Sequence, residues 1–221
     1  MLSWQNYGLA VTELADKKIR SKIEAMVLNG TAKATHDNYG ERMASGIGSM
    51  AGTVVELGPG PGLTMKYYAP GTRVIGIEPN PSMHEGLRAA ATEHGVDLEI
   101  RTLRGEQIDV ESATADGVVG TRVLCGVDDP DEVVSEVLRV LKPGAPYFFL
   151  EHVAAPEGTR TATAQRVLLR PHRWLFNGCE INRTTANTIS AGGFTDVQIE
   201  EVDEGLASGH VRHHIVGTAT K

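Results

Sequence analysis

Short apolar runs alternate with amphipathic helical patterns between residues 53 and 153, and this alternation is the feature that most limits the possible folds. The predicted strands of this region are 53–57, 73–78, 97–103, a segment within 115–124, and 146–153. Three helices are predicted between these strands: one begins in segment 62–69, and the other two cover 82–95 and 130–144. Strands that alternate with helices form a parallel sheet with helices on both faces. The pattern therefore predicts an α/β fold with a doubly wound, Rossmann-like sheet.

The two ends of the chain extend this core. After residue 153 the predicted elements are a helix over 159–176 that Pro171 interrupts, a helix over 182–193, and strands at 194–202 and 213–220. The sheet is then expected to contain seven strands, of which the last is antiparallel. Before residue 51, helices are predicted over 9–29 and near 36–50. We interpret residues 1–50 as a helical cap that belongs to the same domain as residues 51–221.

The loop in "VVELGPGPGL" (54–63) predicts a nucleotide-binding turn. Its alternate glycines are Gly58, Gly60 and Gly62, and the prolines between them are Pro59 and Pro61. A leucine stands where a dinucleotide-binding G-x-G-x-x-G loop has its third glycine, so that motif is not met. Positions without side chains allow a ligand to approach the backbone closely. The prolines remove two N–H donors that a phosphate would need, so the loop favours a ligand without a pyrophosphate.

Two acidic residues narrow the choice of ligand. Glu78 ends the second strand, where a carboxylate can accept hydrogen bonds from both hydroxyls of a ribose. Glu56 lies in the strand before the glycine loop and can meet a cationic group. A nucleoside with a ribose, a positive charge and no phosphate is S-adenosylmethionine. The sequence therefore predicts S-adenosylmethionine as the cofactor.

Composition excludes several other classes of function. The formal net charge is −7 and no basic stripe is visible, which argues against a nucleic-acid partner and favours a small-molecule substrate. No apolar run approaches the ~20 residues of a membrane-spanning helix, and the N-terminus has no secretory pattern. Cys125 and Cys179 give neither a disulfide framework nor metal-ligand spacing. We therefore expect a cytoplasmic protein without a metal site or an integral membrane segment.

Several stretches resemble a known family. They are "ELGPGPG", "GIEPNPSM", "GEQI", "RVLCGVDDP", "EVLRVLKPGAPYFFLEHV", "FNGCEINRTTANTISAGGF" and the closing "VRHHIVGTATK". Over residues 39–221 the chain resembles the class I S-adenosylmethionine-dependent methyltransferases, most closely the methyltransferase-like proteins that methylate thiols. The resemblance implies methyl transfer to a small molecule, with a thiol as the favoured acceptor. The animal members of that subgroup begin with a hydrophobic segment, whereas this chain begins with a charged amphipathic pattern.

The resemblance extends the set of expected cofactor contacts. Many methyltransferases carry an acid that binds the adenine amino group where this chain has Arg104, so we expect backbone groups near Gly105 and Glu106 to hold the adenine. The full set of expected cofactor-binding residues is Glu56, Gly58, Pro59, Gly60, Gly62, Glu78, Pro79, Met83, Gly105, Glu106, Thr121 and Leu124.

Two histidines are the candidate catalytic residues. His152 lies at the end of the fifth strand, at the sheet edge where ligands bind in doubly wound folds, and His214 lies in the C-terminal motif. His152 could accept a proton from the substrate or orient it. For each histidine, a structural hydrogen bond is the alternative. A thiol with a pKa near ~8.5 needs little help to ionise, whereas an alcohol needs a general base.

The remaining polar residues near this edge have two interpretations each. Cys125 follows the fourth strand and is expected to be a small packing residue, because direct methyl transfer needs no covalent enzyme intermediate. Cys179 is also expected to pack, although it could line the substrate pocket. Glu180 and Arg183 could meet a polar substrate group or form a structural ion pair.

The sequence leaves the reaction partly open. Methylation of an oxygen or nitrogen in a secondary metabolite is one alternative to thiol methylation. The other is a cofactor-binding protein that catalyses or assists a step without methyl transfer. The oligomeric state is also left open.

Overall fold

The computed structural model describes residues 32–176 and 178–221, with only the backbone at 206–208. The helix predicted over 9–29, and with it most of the predicted cap, lies outside the described residues. The helix predicted near 36–50 is present as α1, which is helical over residues 32–48. Within the described part of the chain, no helix is long and apolar enough to cross a membrane.

Seven strands form one sheet, as the sequence predicts. They are β1 (Thr53–Leu57), β2 (Arg73–Ile77), β3 (Asp97–Arg101), β4 (Gly117–Thr121), β5 (Pro146–His152), β6 (Asp196–Asp203) and β7 (His213–Thr220). Their order across the sheet is β3-β2-β1-β4-β5-β7-β6. Strand β7 runs antiparallel to both of its neighbours, and the pairs among β1 to β5 are parallel. The expected doubly wound sheet with an antiparallel last strand is confirmed.

Four further helices follow α1. They are α2 (His84–His94), α3 (Pro130–Val140), α4 (Arg160–Leu175) and α5 (Thr185–Ala191). Local signals explain their ends: the Asp129 side chain accepts the N–H groups of Asp131 and Glu132 at the start of α3, and Gly95 ends α2 with a φ of 68°. Helix α4 continues through Pro171, so the predicted interruption there was wrong.

The helix predicted to begin at 62–69 is absent. Only a short 3₁₀ turn, Met65–Tyr67, forms in this segment. The chain leaves the turn at Tyr68, which has an extended conformation with ψ 145°. Pro70 follows closely, and a proline disfavours helical geometry in the residue before it. The turn therefore returns the chain directly to β2.

The sheet separates two apolar layers. Neighbouring residues of β1 point to opposite faces: Val54 packs with α1 and α2, while Val55 packs with α3 and α5. Both are fully buried, as the continuous apolar runs of a parallel sheet require. Tyr39 of α1 is also fully buried, so it packs this helix onto the core. The carboxyl ends of the parallel strands are left to shape a site.

Candidate functional site

A large cavity of about 1160 Å³ opens at the carboxyl edge of the sheet. Ten of the twelve predicted cofactor-binding residues line it: Gly58, Pro59, Gly60, Gly62, Glu78, Pro79, Met83, Gly105, Glu106 and Thr121. Helix α1 contributes Thr35, His36 and Met43 to the wall. Glu56 and Leu124 lie outside the lining. The residues predicted from separate motifs therefore surround a single cavity.

Backbone conformation and packing explain the three glycines of the loop. Gly58, Gly60 and Gly62 have φ values of 54°, 55° and 89°, in the left-handed region that favours glycine. A Cβ atom at Gly58 would lie 2.9 Å from a methyl carbon of Val123, and one at Gly62 would lie 2.7 Å from the Cβ of Ala90. The loop thus needs glycine for its own path, in addition to any ligand that approaches it.

Glu78 faces this loop from the end of β2. Its carboxylate accepts the N–H of Gly60 at 2.9 Å and the N–H of Asn80 at 2.8 Å. Burial raises the pKa of Glu78, and the two backbone donors oppose that shift. Each carboxylate oxygen has two acceptor sites, so both oxygens keep capacity for a further donor. Glu78 can therefore accept hydrogen bonds from a vicinal diol in the cavity.

Glu56 does not lie where it could contact a cationic group of a ligand in the cavity. It is fully buried beneath the loop, where the hydroxyls of Thr64 and Tyr68 donate to its two oxygens at 2.5 and 2.9 Å. Burial raises the pKa of Glu56 to about 7, and the nearby charge of Glu78 adds to the increase. Glu56 therefore braces the turn that follows the glycine loop and does not line the cavity.

Glu106 supplies a further acceptor in the cavity wall. One carboxylate oxygen accepts the N–H of Asp128 at 2.8 Å. The other is buried without a hydrogen-bond partner among the described residues and forms an ion pair with the Nε of Arg104 at 3.5 Å. A buried acceptor without a partner favours a ligand that brings a donor. The exocyclic amine of an adenine is such a donor. With the diol acceptor at Glu78 and the glycine loop, these residues fit the adenosine part of S-adenosylmethionine.

The cavity wall also contains two members of a cluster that sequence reasoning missed. The sulfurs of Cys125 and Cys179 lie 3.3 Å apart, and the Nδ1 of His152 is 3.6 Å from the first and 4.0 Å from the second. Both cysteines line the cavity. The hydrogen bond between the two thiols, together with His152 and His172, lowers the pKa of Cys179. His152 is 27 positions from each cysteine, and the two cysteines are 54 positions apart, so no local spacing could have predicted the cluster.

A buried carboxylate holds the segment that carries Cys125. Glu151 of β5 accepts the N–H groups of Val123 and Leu124 at 2.9 and 3.0 Å. Burial raises the pKa of Glu151 to about 8. The hydrogen bonds fix the chain just after β4, where Cys125 turns towards the cavity.

Arg183 joins this segment to the one that carries Cys179. Its guanidinium donates to the carbonyls of Leu124 and Val127 at 2.7 and 2.8 Å and to the carboxylate of Glu180 at 3.0 Å. The N–H of Glu180 also donates to the carbonyl of Cys125 at 2.6 Å. The structural interpretation of the Glu180–Arg183 pair is therefore correct, and the pair sets the distance between the two cysteines.

His214 lies one layer behind His152. Its side chain is 1% exposed, and its ring packs between those of His152 and Tyr39, at centroid distances of 4.6 and 5.4 Å. Burial lowers the pKa of His214 to about 2, so its ring is neutral. It does not line the cavity. Of the two candidate catalytic histidines, the structure brings only His152 to the cysteine cluster.

Comparisons with known proteins identify the family. Residues 55–149 match the family described as "Methyltransferase domain". The chain is 36% identical over 172 residues to the thiol S-methyltransferase TMT1B of Rattus norvegicus and 34% identical over 172 residues to the thiol S-methyltransferase TMT1A of Homo sapiens. Each alignment covers 76% of this chain and 70% of the relative.

The fold is also found among solved structures. The crystal structure of a methyltransferase from Thermotoga maritima, described as a possible histamine N-methyltransferase, has a TM-score of 0.61 at 17% identity. The match covers 90% of this chain and 99% of that chain. At this identity the likeness supports the fold alone. Together with the sequence relatives, it shows that the chain belongs to the class I S-adenosylmethionine-dependent methyltransferases.

Proposed function

We propose that this methyltransferase binds S-adenosylmethionine in the cavity and methylates the thiol of a small molecule. The observation that carries the proposal is that two chemically distinct groups of residues meet at one cavity. One group, the cofactor end, consists of the glycine loop, Glu78 and Glu106, which suit an adenosine. The other group, the acceptor end, consists of Cys125 and Cys179, with the imidazole of His152 beside their sulfurs and outside the cavity lining. The thiol S-methyltransferases among the relatives support the choice of acceptor.

At the cofactor end, the chain contributes position and hydrogen bonding. Bound S-adenosylmethionine supplies an activated methyl group on a sulfonium. Glu78 accepts the ribose hydroxyls and, through the N–H of Gly60, fixes the loop beside them. The second oxygen of Glu106, which lacks a hydrogen-bond partner among the described residues, accepts from the adenine amine. Because the leaving group is good, catalysis depends mainly on holding two reactants in line and excluding water.

At the acceptor end, the chain meets a polarisable, weakly acidic group. Cys125 and Cys179 offer a soft surface to a sulfur atom, and Nδ1 of His152 points at both. We assign His152 the role of orienting the acceptor, and His214 the role of supporting the ring of His152 by packing. Glu151, which holds the chain after β4 through one of its oxygens, does not belong to the described lining of the cavity. An alcohol acceptor, which needs a strong base, is therefore less well served than a thiol.

A product assay tests the proposal. The full chain is incubated with S-adenosylmethionine and matched panels of small thiols, phenols and amines, and methylated products are identified by mass. We expect methyl thioethers from at least one thiol and much lower turnover of the phenols and amines. Preferred methylation of a phenol or an amine would overturn the thiol assignment, and binding without any methylated product would favour a step without methyl transfer. A cytoplasmic location and the absence of a nucleic-acid partner stay predictions.

A further inference from the structure

We propose that Cys125, His152 and Cys179 form a zinc site whose fourth coordination position opens into the cavity. One candidate ligand atom from each residue, two thiol sulfurs and a ring nitrogen, lies within 4.8 Å of the other two. Among the described residues, this is the group of three such side chains that converges on one point. Two thiolates and one imidazole are the donor set that zinc prefers, and three protein ligands with an open position are typical of catalytic zinc sites.

The observed distances are close to those of a tetrahedral site. Zinc–sulfur bonds of about 2.3 Å and zinc–nitrogen bonds of about 2.0 Å place tetrahedral ligands roughly 3.5–3.8 Å apart. The observed separations are 3.3 Å between the sulfurs and 3.6 and 4.0 Å from each sulfur to Nδ1 of His152. Adjustments of about half an ångström, within the reach of side-chain rotation, therefore convert the cluster into a three-ligand site.

The surrounding chain holds the three ligands in place. Cys125 is fixed through the N–H groups that Glu151 accepts, and Cys179 is fixed through the Glu180 N–H bond to the Cys125 carbonyl. His152 is the last residue of β5, so its backbone belongs to the sheet. Ligands that are held before the metal arrives need little reorganisation to bind it. Two thiolates also neutralise the charge of a zinc ion, which suits a partly buried site.

The proposed zinc site adjoins the cavity and could therefore bind the acceptor thiol. Cys125 and Cys179 both line the cavity, and we therefore place the open position toward the space that receives the acceptor. An acceptor thiol that binds there releases its proton to solvent and remains as a thiolate. Its sulfur then forms a bond to the methyl carbon while the bond from that carbon to the sulfonium breaks, which leaves S-adenosylhomocysteine and a methyl thioether. This use rests on the proposed thiol function, whereas the metal site itself does not.

A disulfide between the two cysteines is the competing interpretation of their proximity. A disulfide needs a sulfur–sulfur distance of about 2.05 Å, and its formation needs an oxidant. The separation of 3.3 Å corresponds to two unbonded sulfurs. Nδ1 of His152 also points at both sulfurs, which coordination of a metal explains and a disulfide does not.

The test measures metal directly. The full chain, purified without a histidine tag, is analysed for zinc by mass spectrometry, stripped with a chelator and refilled with Zn²⁺ or Co²⁺. We expect close to one zinc per chain, and cobalt protein with the strong thiolate-to-metal absorption of a tetrahedral site. Cys179→Ser and His152→Gln should each bring the zinc content near zero and remove that absorption. His94→Gln, a histidine from α2 outside the cluster, should keep both.

The outcomes separate this proposal from the proposed function. Thermal unfolding of each variant shows whether it folds, and titration of the wild-type thiols provides a second measure, since zinc protects Cys125 and Cys179 from a thiol reagent. Addition of a small acceptor thiol should then change the cobalt spectrum. Methylation of thiols by protein that binds neither metal, or a Cys125–Cys179 disulfide in purified protein, would overturn the zinc site alone. Metal binding without thiol methylation would overturn the proposed function alone.

Discussion

The two groups of residues at the cavity, the cofactor end and the acceptor end, are built in different ways. The cofactor end comes from consecutive strand-to-loop connections: the glycine loop follows β1, and Glu78 follows β2. The acceptor end comes from segments that are far apart in sequence and are joined by Arg183 and by the buried carboxylate of Glu151. A local motif can therefore reveal the first end, whereas the second exists only in the folded chain. Substitutions at the two ends should affect different measurements.

The largest effect is expected at the cofactor end from Gly60→Val. Gly60 has a φ of 55° and donates its N–H to Glu78, so a β-branched residue should displace both the loop and the ribose acceptor. We expect no detectable binding of S-adenosylhomocysteine by calorimetry. Gly71→Val is the matched control, because Gly71 has a φ of 84° and open space around it away from the cavity. Retained binding in Gly60→Val would show that the loop does not hold the cofactor.

At the acceptor end, His152→Ala should affect catalysis and not cofactor binding. The loss removes the nitrogen that faces both sulfurs. We expect kcat/KM for the best thiol to fall about ten- to a hundredfold, with the dissociation constant of S-adenosylhomocysteine changed less than about twofold. His214→Phe keeps a ring behind His152 and should retain most of the activity. Equal losses in both variants would mean that His214 has a role beyond packing.

Glu78→Ala should show the reverse pattern. Hydrogen bonds between a carboxylate and ribose hydroxyls are charge-assisted and worth on the order of 1.5–3 kcal/mol each, so affinity for S-adenosylhomocysteine should fall at least about tenfold. Glu93→Ala, an exposed acid on α2, is the control and should bind as the wild type does. A change below about twofold in Glu78→Ala would place the ribose elsewhere.

The smallest functional effect, with a clear effect on stability, is expected from Glu56→Gln. Burial raises the folded-state pKa of Glu56 to about 7 from an ordinary value of 4.5, so the folded state holds its proton more tightly than the unfolded chain. The contribution of Glu56 to stability is therefore greatest below pH 4.5 and is lost as the pH rises to 7, by up to about 3 kcal/mol. The free energy of unfolding is measured with urea, without cofactor, at pH 5 and pH 8. It should decrease less between these two pH values in Glu56→Gln than in the wild type. If the free energy of unfolding decreased equally in both proteins, Glu56 would not be the cause of the decrease.

The same contrast explains how far the sequence could predict the molecule. Strands and helices followed from hydrophobic periodicity, and the seven-stranded sheet is as expected. The segment at 62–69 was predicted wrongly because an apolar pattern after a glycine loop is typical of a helix, while the nearby Pro70 returns the chain to β2. Glu78 could be predicted because its role depends on its position at a strand end.

The acceptor end could not be predicted for a physical reason. Cys125, His152 and Cys179 meet because Glu151 and Arg183 hold two irregular segments together, and irregular segments carry no periodic signal. The positions of Cys125 and His152 after neighbouring strands were the available hint. Glu56 was predicted to contact the cofactor because it is acidic and precedes the glycine loop. The sequence does not reveal that the hydroxyls of two other residues donate to its carboxylate.

The most direct test of the account is the transfer of an isotopically labelled methyl group from S-adenosylmethionine to a small thiol by the wild-type chain, with Gly60→Val, Glu78→Ala and His152→Ala measured beside it. We predict a labelled methyl thioether from the wild type, a weaker cofactor interaction only in the first two variants, and slower transfer at unchanged cofactor affinity in the third. Label appearing on a phenol or an amine and not on any thiol, or an identical loss of cofactor binding in all three variants, would contradict the division of the cavity into two ends.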